Sequence, residues 1–167
     1  WAYGTALDRL SARGQTELSL AADRLQSYLQ RFRQLSVILA DHPGLIALLE
    51  QDSDQFVVEA ERLLLEAADK TGSLEVFVLS SQGLAVASSS ALHSDLDFSQ
   101  TDYFRRAMHG ALGTSQGVSG NERAFFAAAP ILRPGTAPIG AVVVKVDIEA
   151  VETDWRANPN ILFFTDR

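Results

Sequence analysis

The sequence predicts an α+β fold, in which a long amino-terminal helix precedes a five-stranded antiparallel sheet flanked by helices. Two observations predict this class. Apolar residues recur every three or four positions up to Gly72, which is the period of a helix, and beyond Gly72 they recur every second residue, which is the period of a strand. Short turns join the apolar runs after Gly72, and such turns favour hairpins and therefore antiparallel pairing.

The helical part divides at Asp41 to Gly44, where Pro43 lacks a backbone donor and restricts the residue before it. The predicted helices run from Thr5 to about Ala40, from Leu45 to Glu50, and from about Gln55 to Lys70. The first is longer than most helices of globular domains. It therefore predicts a stalk or a dimer seam, although a helix that lies against its own domain would show the same apolar stripe.

Two of the predicted strands form a hairpin, and three more follow later in the chain. A polar segment, Ser88 to Ser99, and a short helix separate the two groups of strands. The strands are Leu74 to Leu79, Leu84 to Ser88, Thr114 to Ser119, Arg123 to Leu132 and Ile139 to Val146. The short helix, Asp102 to Gly110, is expected to lie over one face of the sheet as a lid above a concave space.

The remainder is expected to hold a helix from Ile148 to Trp155 and the start of a further strand at Ile161 to Thr165. The chain thus divides into a stalk or dimerisation helix at 1–40, a domain at 41–155 that holds the sheet and the lid, and a new segment at 156–167.

Composition limits the classes of function. The 167 residues carry a net charge of −7, which argues against a nucleic-acid partner, since such surfaces are normally basic. The absence of cysteine removes disulfides, thiolate metal sites and cysteine nucleophiles. His42, His93 and His109 are scattered, so no metal site is expected, and neither a nucleophile elbow nor a phosphate-binding loop is recognisable. A catalytic site and a cofactor are therefore not predicted.

Basic residues on the lid and on the last strand are the main candidates for ligand binding. Tyr103 and Arg106 are three residues apart and share a helical face, whereas Arg105 points elsewhere. The guanidinium group offers a rigid fork of donors suited to a carboxylate. Alternatively, Arg106 pairs with a surface acid.

Lys145 ends an otherwise apolar strand. Strand alternation places it on one face with Ala141, Val143 and Asp147. A lysine on an inner face needs a protein acid, for which Glu122 and Asp147 are candidates, or a bound anion. Cations on the lid and on the sheet would together hold the two ends of a short diacid.

Other candidate contacts lie on the intervening strands. Ser119 offers a hydroxyl group beside Gly120, although an ordinary turn explains the same pair. Phe126 and Ala128 belong to a strand whose small alanines make room beneath the lid. Arg123 is either a third cation or a residue of the rim.

The lid and last-strand motifs also carry a family resemblance. Asp102-Tyr103-Phe104-Arg105-Arg106-Ala107, the strand that ends Ala129-Pro130-Ile131, and Ile139-Gly140-Ala141-Val142-Val143-Val144-Lys145-Val146-Asp147 resemble the periplasmic sensors of the DctB family of two-component histidine kinases. These sensors have a tandem PAS-like (PDC, or double Cache) module. The resemblance implies binding of a C4-dicarboxylate such as succinate, fumarate or malate by Tyr103, Arg106, Ser119 and Lys145.

The same resemblance implies a homodimer through the first helix and a membrane-anchored protein with its sensor in the periplasm. The chain departs from the family at Ile161 to Arg167, which resembles the first strand of the second lobe and then ends, so half of the tandem module is expected here. The alternatives are a Cache-type sensor for another anion or an amino acid, a structural dimerisation module and, last, a hydrolase.

Overall fold

The computed structural model describes residues 2–51, 53–90, 96–119, 121–150 and 153. Within them the chain forms four helices and five strands, which confirms the predicted α+β class. In chain order these elements are α1 (Ala2–Ala40), α2 (Pro43–Glu50), α3 (Asp54–Thr71), β1 (Glu75–Ser80), β2 (Ala85–Ser88), α4 (Asp102–Met108), β3 (Gly113–Ser119), β4 (Glu122–Ile131) and β5 (Gly140–Asp147).

The five strands make one sheet in the order β2-β1-β5-β4-β3, and every neighbouring pair is antiparallel. The hairpins β1–β2, β3–β4 and β4–β5 follow from the turns in the sequence. The remaining pairing, β1 with β5, joins residues about 70 positions apart and closes the two groups of strands into one sheet. The last strand is therefore central.

The two faces of the sheet have different covers. On one face, here called the α4 face, Phe77, Leu79, Ala128, Ala141 and Val143 pack with the buried residues of α4. Strand alternation also assigns Glu75, Phe126, Lys145 and Asp147 to the α4 face, because each is an even number of residues from a member of that cluster.

The opposite face, here called the back face, carries Val76, Val78, Val142, Val144 and Phe125, all of which are buried. The guanidinium carbon of Arg33, on α1, lies 5.6 Å from the centre of the Phe125 ring in a cation–π contact. The carboxyl-terminal part of α1 is thereby attached to this face of the sheet.

Gly113 allows α4 to lie very close to β3. A β-carbon at this position would overlap the backbone carbonyl group of Tyr103. Glycine is thus required here for space rather than for an unusual backbone conformation, and the contact fixes the height of α4 above the sheet.

The contacts of the chain divide within α1. The compact unit that contains the sheet begins at Phe32, whereas the sequence placed a boundary at residue 40. From Phe32 onward α1 buries apolar residues, including Phe32 and Leu39. In the amino-terminal unit Leu7, Leu10 and Leu18 are 64%, 66% and 72% exposed.

Two predicted elements fall wholly or partly outside the described residues. The predicted helix from Ile148 to Trp155 is helical at 148–150, and most of its remainder is not described. The predicted strand at Ile161 to Thr165, with the proposed second lobe at 156–167, lies outside the described residues altogether.

Candidate ligand-binding site

Lys145 lies in a cross-strand row on the α4 face. It is directly opposite Glu75 of β1 on one side and Phe126 of β4 on the other, and Phe126 is opposite Ser115 of β3. Residues opposite each other in antiparallel strands have β-carbons about 4.5–5.5 Å apart. The register therefore brings an acid, a base and an aromatic ring together under α4.

The predicted face of Lys145 agrees with the packing of its neighbours, since Ala141 and Val143 contact α4. Lys145 is only 8% exposed. The acid opposite it is not one of the two that the sequence suggested. Glu122 is exposed, and Asp147 Oδ1 accepts a hydrogen bond of 2.8 Å from the backbone N–H of Glu149. Asp147 thus caps the chain that leaves β5.

Glu75 is a site residue that the sequence analysis missed. It is 3% exposed, and its Oε1 accepts a 2.8 Å hydrogen bond from the hydroxyl group of Ser88. The available signal was a single acid in an apolar strand, on the same face as Phe77 and Leu79. A buried carboxylate requires compensation by charge or hydrogen bonds, which predicts a partner on a neighbouring strand.

Tyr103 connects α4 to this row. Its side chain is buried, and its ring stacks on that of Phe126 with the centroids 5.1 Å apart and the planes 11° from parallel. Burial raises the pKa of the Tyr103 hydroxyl to about 12; a hydrogen bond with the Thr101 side chain lowers this pKa, and the negative charge of Glu75 raises it further. The Tyr103 hydroxyl is therefore within the electrostatic reach of Glu75.

Arg106 occupies a different environment from Tyr103. It is exposed, and its Nε donates a 3.1 Å hydrogen bond to the backbone carbonyl of Leu112, in the connection from α4 to β3. The sequence predicted that Tyr103 and Arg106 share a helical face. In the structure the two side chains have different environments, since the tyrosine is buried and the arginine is exposed.

The other candidates are less central. Ala128 is buried beneath α4. Ser119 ends β3 opposite Glu122, and only its backbone is described. Arg105 is exposed, as expected, and Arg123 is an odd number of residues from Phe126 and so belongs to the back face. Arg123 therefore does not serve as a third cation under α4.

Two further properties concern the described part of the chain as a whole. No group of three or more histidine, aspartate or glutamate side chains is arranged there to hold a metal ion. None of its helices combines the length and the apolar character needed to cross a membrane.

Comparison with known proteins shows which sensor proteins the chain resembles. No protein-family profile matches the chain. The C4-dicarboxylate transport sensor proteins DctB of Rhizobium meliloti and Pseudomonas aeruginosa are 26% and 28% identical to it, over 97% and 95% of its length. The sensor domain of the Vibrio cholerae histidine kinase DctB superposes on 89% of the chain with a TM-score of 0.78 and 20% identity. The chain is thus similar to DctB proteins in sequence and to a DctB sensor domain in fold.

Other solved structures share the fold of this chain. The Escherichia coli DcuS sensor domain matches with a TM-score of 0.66 at 16% identity, over 78% of this chain and 96% of its own. The ligand-binding domain of the Campylobacter jejuni chemoreceptor Tlp3, in complex with 4-methylisoleucine, matches with a TM-score of 0.56 at 16% identity, over 83% and 56% of the two chains. The predicted PDC-type fold is confirmed.

The relatives that match this chain are longer than it. The chain spans 27% of the length of each curated DctB protein and 60% of the V. cholerae sensor chain. The V. cholerae and E. coli structures are sensor domains, and the curated relatives are named as sensor proteins, which is the class of protein that the sequence predicted.

Proposed function

We propose that this domain is the periplasmic ligand-binding lobe of a two-component sensor histidine kinase and that it binds a C4-dicarboxylate between α4 and the sheet. The names of the DctB relatives support this ligand class. The observation that carries the proposal is Lys145, a cation buried on the α4 face beside the stacked rings of Phe126 and Tyr103. Such a cation attracts a carboxylate that enters under α4.

Arg106 is the second proposed carboxylate contact. Its Nε binds Leu112, which lies three residues before Ser115, the β3 member of the Lys145 row. From the strand spacing and the rise per residue, the Cα atoms of Lys145 and Leu112 are about 14 Å apart. Because lysine and arginine side chains are long, their charged groups can lie much closer together than the Cα atoms do, at a separation that a small diacid can span. Ser119 and Ala128 are retained as proposed neighbours of the ligand, and Asp147 as a residue that orients Lys145.

Isothermal titration calorimetry with succinate and acetate tests the ligand class. We expect succinate to bind and acetate to bind much more weakly, because a monoacid leaves one cation without its anion. The Arg106→Ala variant should weaken succinate binding about 10- to 100-fold, the range for loss of a charged hydrogen bond.

The adjacent Arg105→Ala variant is the matched control, because both arginines are exposed on α4. It should stay within about twofold of the unchanged protein. Equal affinity for succinate and acetate, no binding of any C4-dicarboxylate, or equal effects of the two substitutions would refute the proposal.

A second candidate is a sensor for an amino acid with one carboxylate. The buried Glu75 favours it, because an acid opposite Lys145 gives the α4 face one group of each sign, as a zwitterion requires. The likeness in fold to Tlp3, whose structures contain amino-acid ligands, is consistent with this candidate. Titration with L-valine and L-isoleucine separates the two: binding of these without binding of succinate would replace the first proposal by the second.

The proposed assembly is a homodimer through α1 in a membrane-anchored protein. It is supported by the exposed leucines of the amino-terminal part of α1, which repeat at helical spacing. A position in the periplasm next to the inner membrane is what the resemblance to the DctB sensors implies, and it is part of the same proposal.

A further inference from the structure

Glu75 is a buried acid on the ligand face that a site for two carboxylates does not by itself explain. A pocket built only to attract a dianion would place no negative charge beside its central cation. Glu75 nevertheless lies directly opposite Lys145, is less exposed than the lysine, and receives a hydrogen bond from Ser88. Its charge also reaches the hydroxyl of Tyr103.

We propose that Glu75 determines ligand specificity. It selects four-carbon diacids that carry a hydrogen-bond donor on the carbon next to one carboxylate, and it prefers an ammonium group to a hydroxyl group as that donor. This inference rests on the proposed dicarboxylate function and narrows its ligand class. In this arrangement Lys145 takes the carboxylate and Glu75 takes the neighbouring donor.

The geometry of the pair suits such a ligand. The side chains of Glu75 and Lys145 start from adjacent strands, with β-carbons about 5 Å apart, so they present an acceptor and a donor side by side. A 2-amino or 2-hydroxy acid presents the complementary donor and acceptor on neighbouring carbons. An ionised carboxylate has about four acceptor positions, and the Ser88 hydroxyl fills one of them.

The charge count gives the order of ligands. Lys145 and Arg106 contribute two positive charges and Glu75 one negative charge, so these three residues sum to +1. A 2-amino diacid has a net charge of −1 and matches this sum. A 2-hydroxy diacid supplies a donor but has a charge of −2. An unsubstituted diacid also has a charge of −2 and supplies no donor. The carboxylate of the unsubstituted diacid therefore lies beside Glu75 with nothing to offset the repulsion.

The test is calorimetric titration with L-aspartate, L-malate and succinate as probes. In the unchanged protein we expect L-aspartate to bind most tightly and L-malate next. The affinity for succinate should be lower than that for L-aspartate by about 10-fold or more, which is the effect of losing one charged hydrogen bond. The Glu75→Gln variant should reduce the ratio of aspartate to succinate affinity about 10-fold and should leave succinate binding equal or tighter.

The control is Glu61→Gln, which makes the same change in net charge at an exposed position of α3 and should leave the ratio unchanged. Equal affinities of the three diacids in the unchanged protein would overturn the inference without any variant, even if Glu75→Gln fails to fold. A ratio that Glu75→Gln leaves within about twofold would also overturn it. If none of the three diacids binds, the proposed function itself fails, which is a separate outcome.

Discussion

Single residues carry most of the chemistry of this domain, and Glu75 and Lys145 carry the largest share of it. Glu75 is the charged residue of β1, Lys145 is the buried charged residue of β5, and the register places one opposite the other. Charges this deeply buried are costly unless they are compensated, and removal of one partner leaves the other uncompensated.

This argument predicts strong coupling between the two positions. Lys145→Met alone should destabilise the fold by about 3–5 kcal/mol, the usual cost of breaking a buried charge pair. The double substitution Glu75→Leu with Lys145→Met should cost much less than the two single substitutions added together. Urea unfolding of the four proteins measures the coupling energy, and simple additivity would show that the two side chains do not interact.

A second prediction at this scale concerns Tyr103. Its pKa in the fold, about 12, lies above the ordinary value of 10, so folding favours the neutral phenol. The stabilisation is complete below pH 10 and is lost as the pH rises towards 12, because the unfolded chain releases this proton first; its size is about 2–3 kcal/mol.

Unfolding in urea at about pH 9 and about pH 11.5 tests this dependence. Tyr103→Phe should reduce the loss of stability between the two conditions and should also remove a late phase of tyrosinate absorbance. An identical loss in the variant would contradict the argument.

The sequence predicted the site residues unevenly, for physical reasons. Alternation within one strand was enough to place Lys145 on the α4 face. The sequence did not indicate Glu75 as the partner of Lys145. The two residues come together only through the β1–β5 pairing, which joins distant parts of the chain. Helical spacing grouped Arg106 with Tyr103, but a long side chain at the end of a seven-residue helix reaches the Leu112 carbonyl instead.

Among the elements, α4 depends on a single glycine for its position. Gly113 leaves room for the Tyr103 carbonyl, and the Tyr103 ring then reaches Phe126. The sequence predicted both α4 and β3 within about two residues, since periodicity and caps are local signals. It did not predict their close approach, because a glycine needed for space looks like any other glycine in a strand.

Gly113→Ala should therefore destabilise the domain by about 1–3 kcal/mol, the usual cost of overpacking, and should weaken ligand binding by displacing Tyr103. Gly117→Ala is a control in the same strand, because a β-carbon there has nothing within 4 Å. Thermal unfolding and calorimetry of both variants give the comparison. A stable Gly113→Ala protein with full affinity would disprove the close contact.

At the scale of the whole molecule, the sheet has buried residues on both faces, whereas α1 exposes apolar residues over much of its length. The sequence predicted the class and the order of elements, because the change of period at Gly72 is unambiguous. It left open whether the first helix is a stalk or packs on its own domain. The structure shows buried apolar residues from Leu29 onward and exposure at Leu7, Leu10 and Leu18.

If α1 forms the proposed dimer, the double substitution Leu10→Asp with Leu18→Asp should weaken self-association at least about 10-fold, because charges replace apolar contacts across the seam. Val58→Asp is a control at an apolar residue of α3 that is 65% exposed. Light scattering over the micromolar range measures the masses. A protein that is monomeric throughout that range before substitution would refute the dimer.

The two adjacent phenylalanines of β4 have a consequence for signalling. Phe126 stacks on Tyr103 on one side of the sheet, and Phe125 lies beneath the Arg33 guanidinium of α1 on the other. One peptide bond therefore separates the ring that touches α4 from the ring that touches α1. If the proposed ligand moves the Tyr103 ring, the displacement can pass through two neighbouring residues of β4 to the Arg33 contact on α1, the helix that carries the proposed dimer contacts.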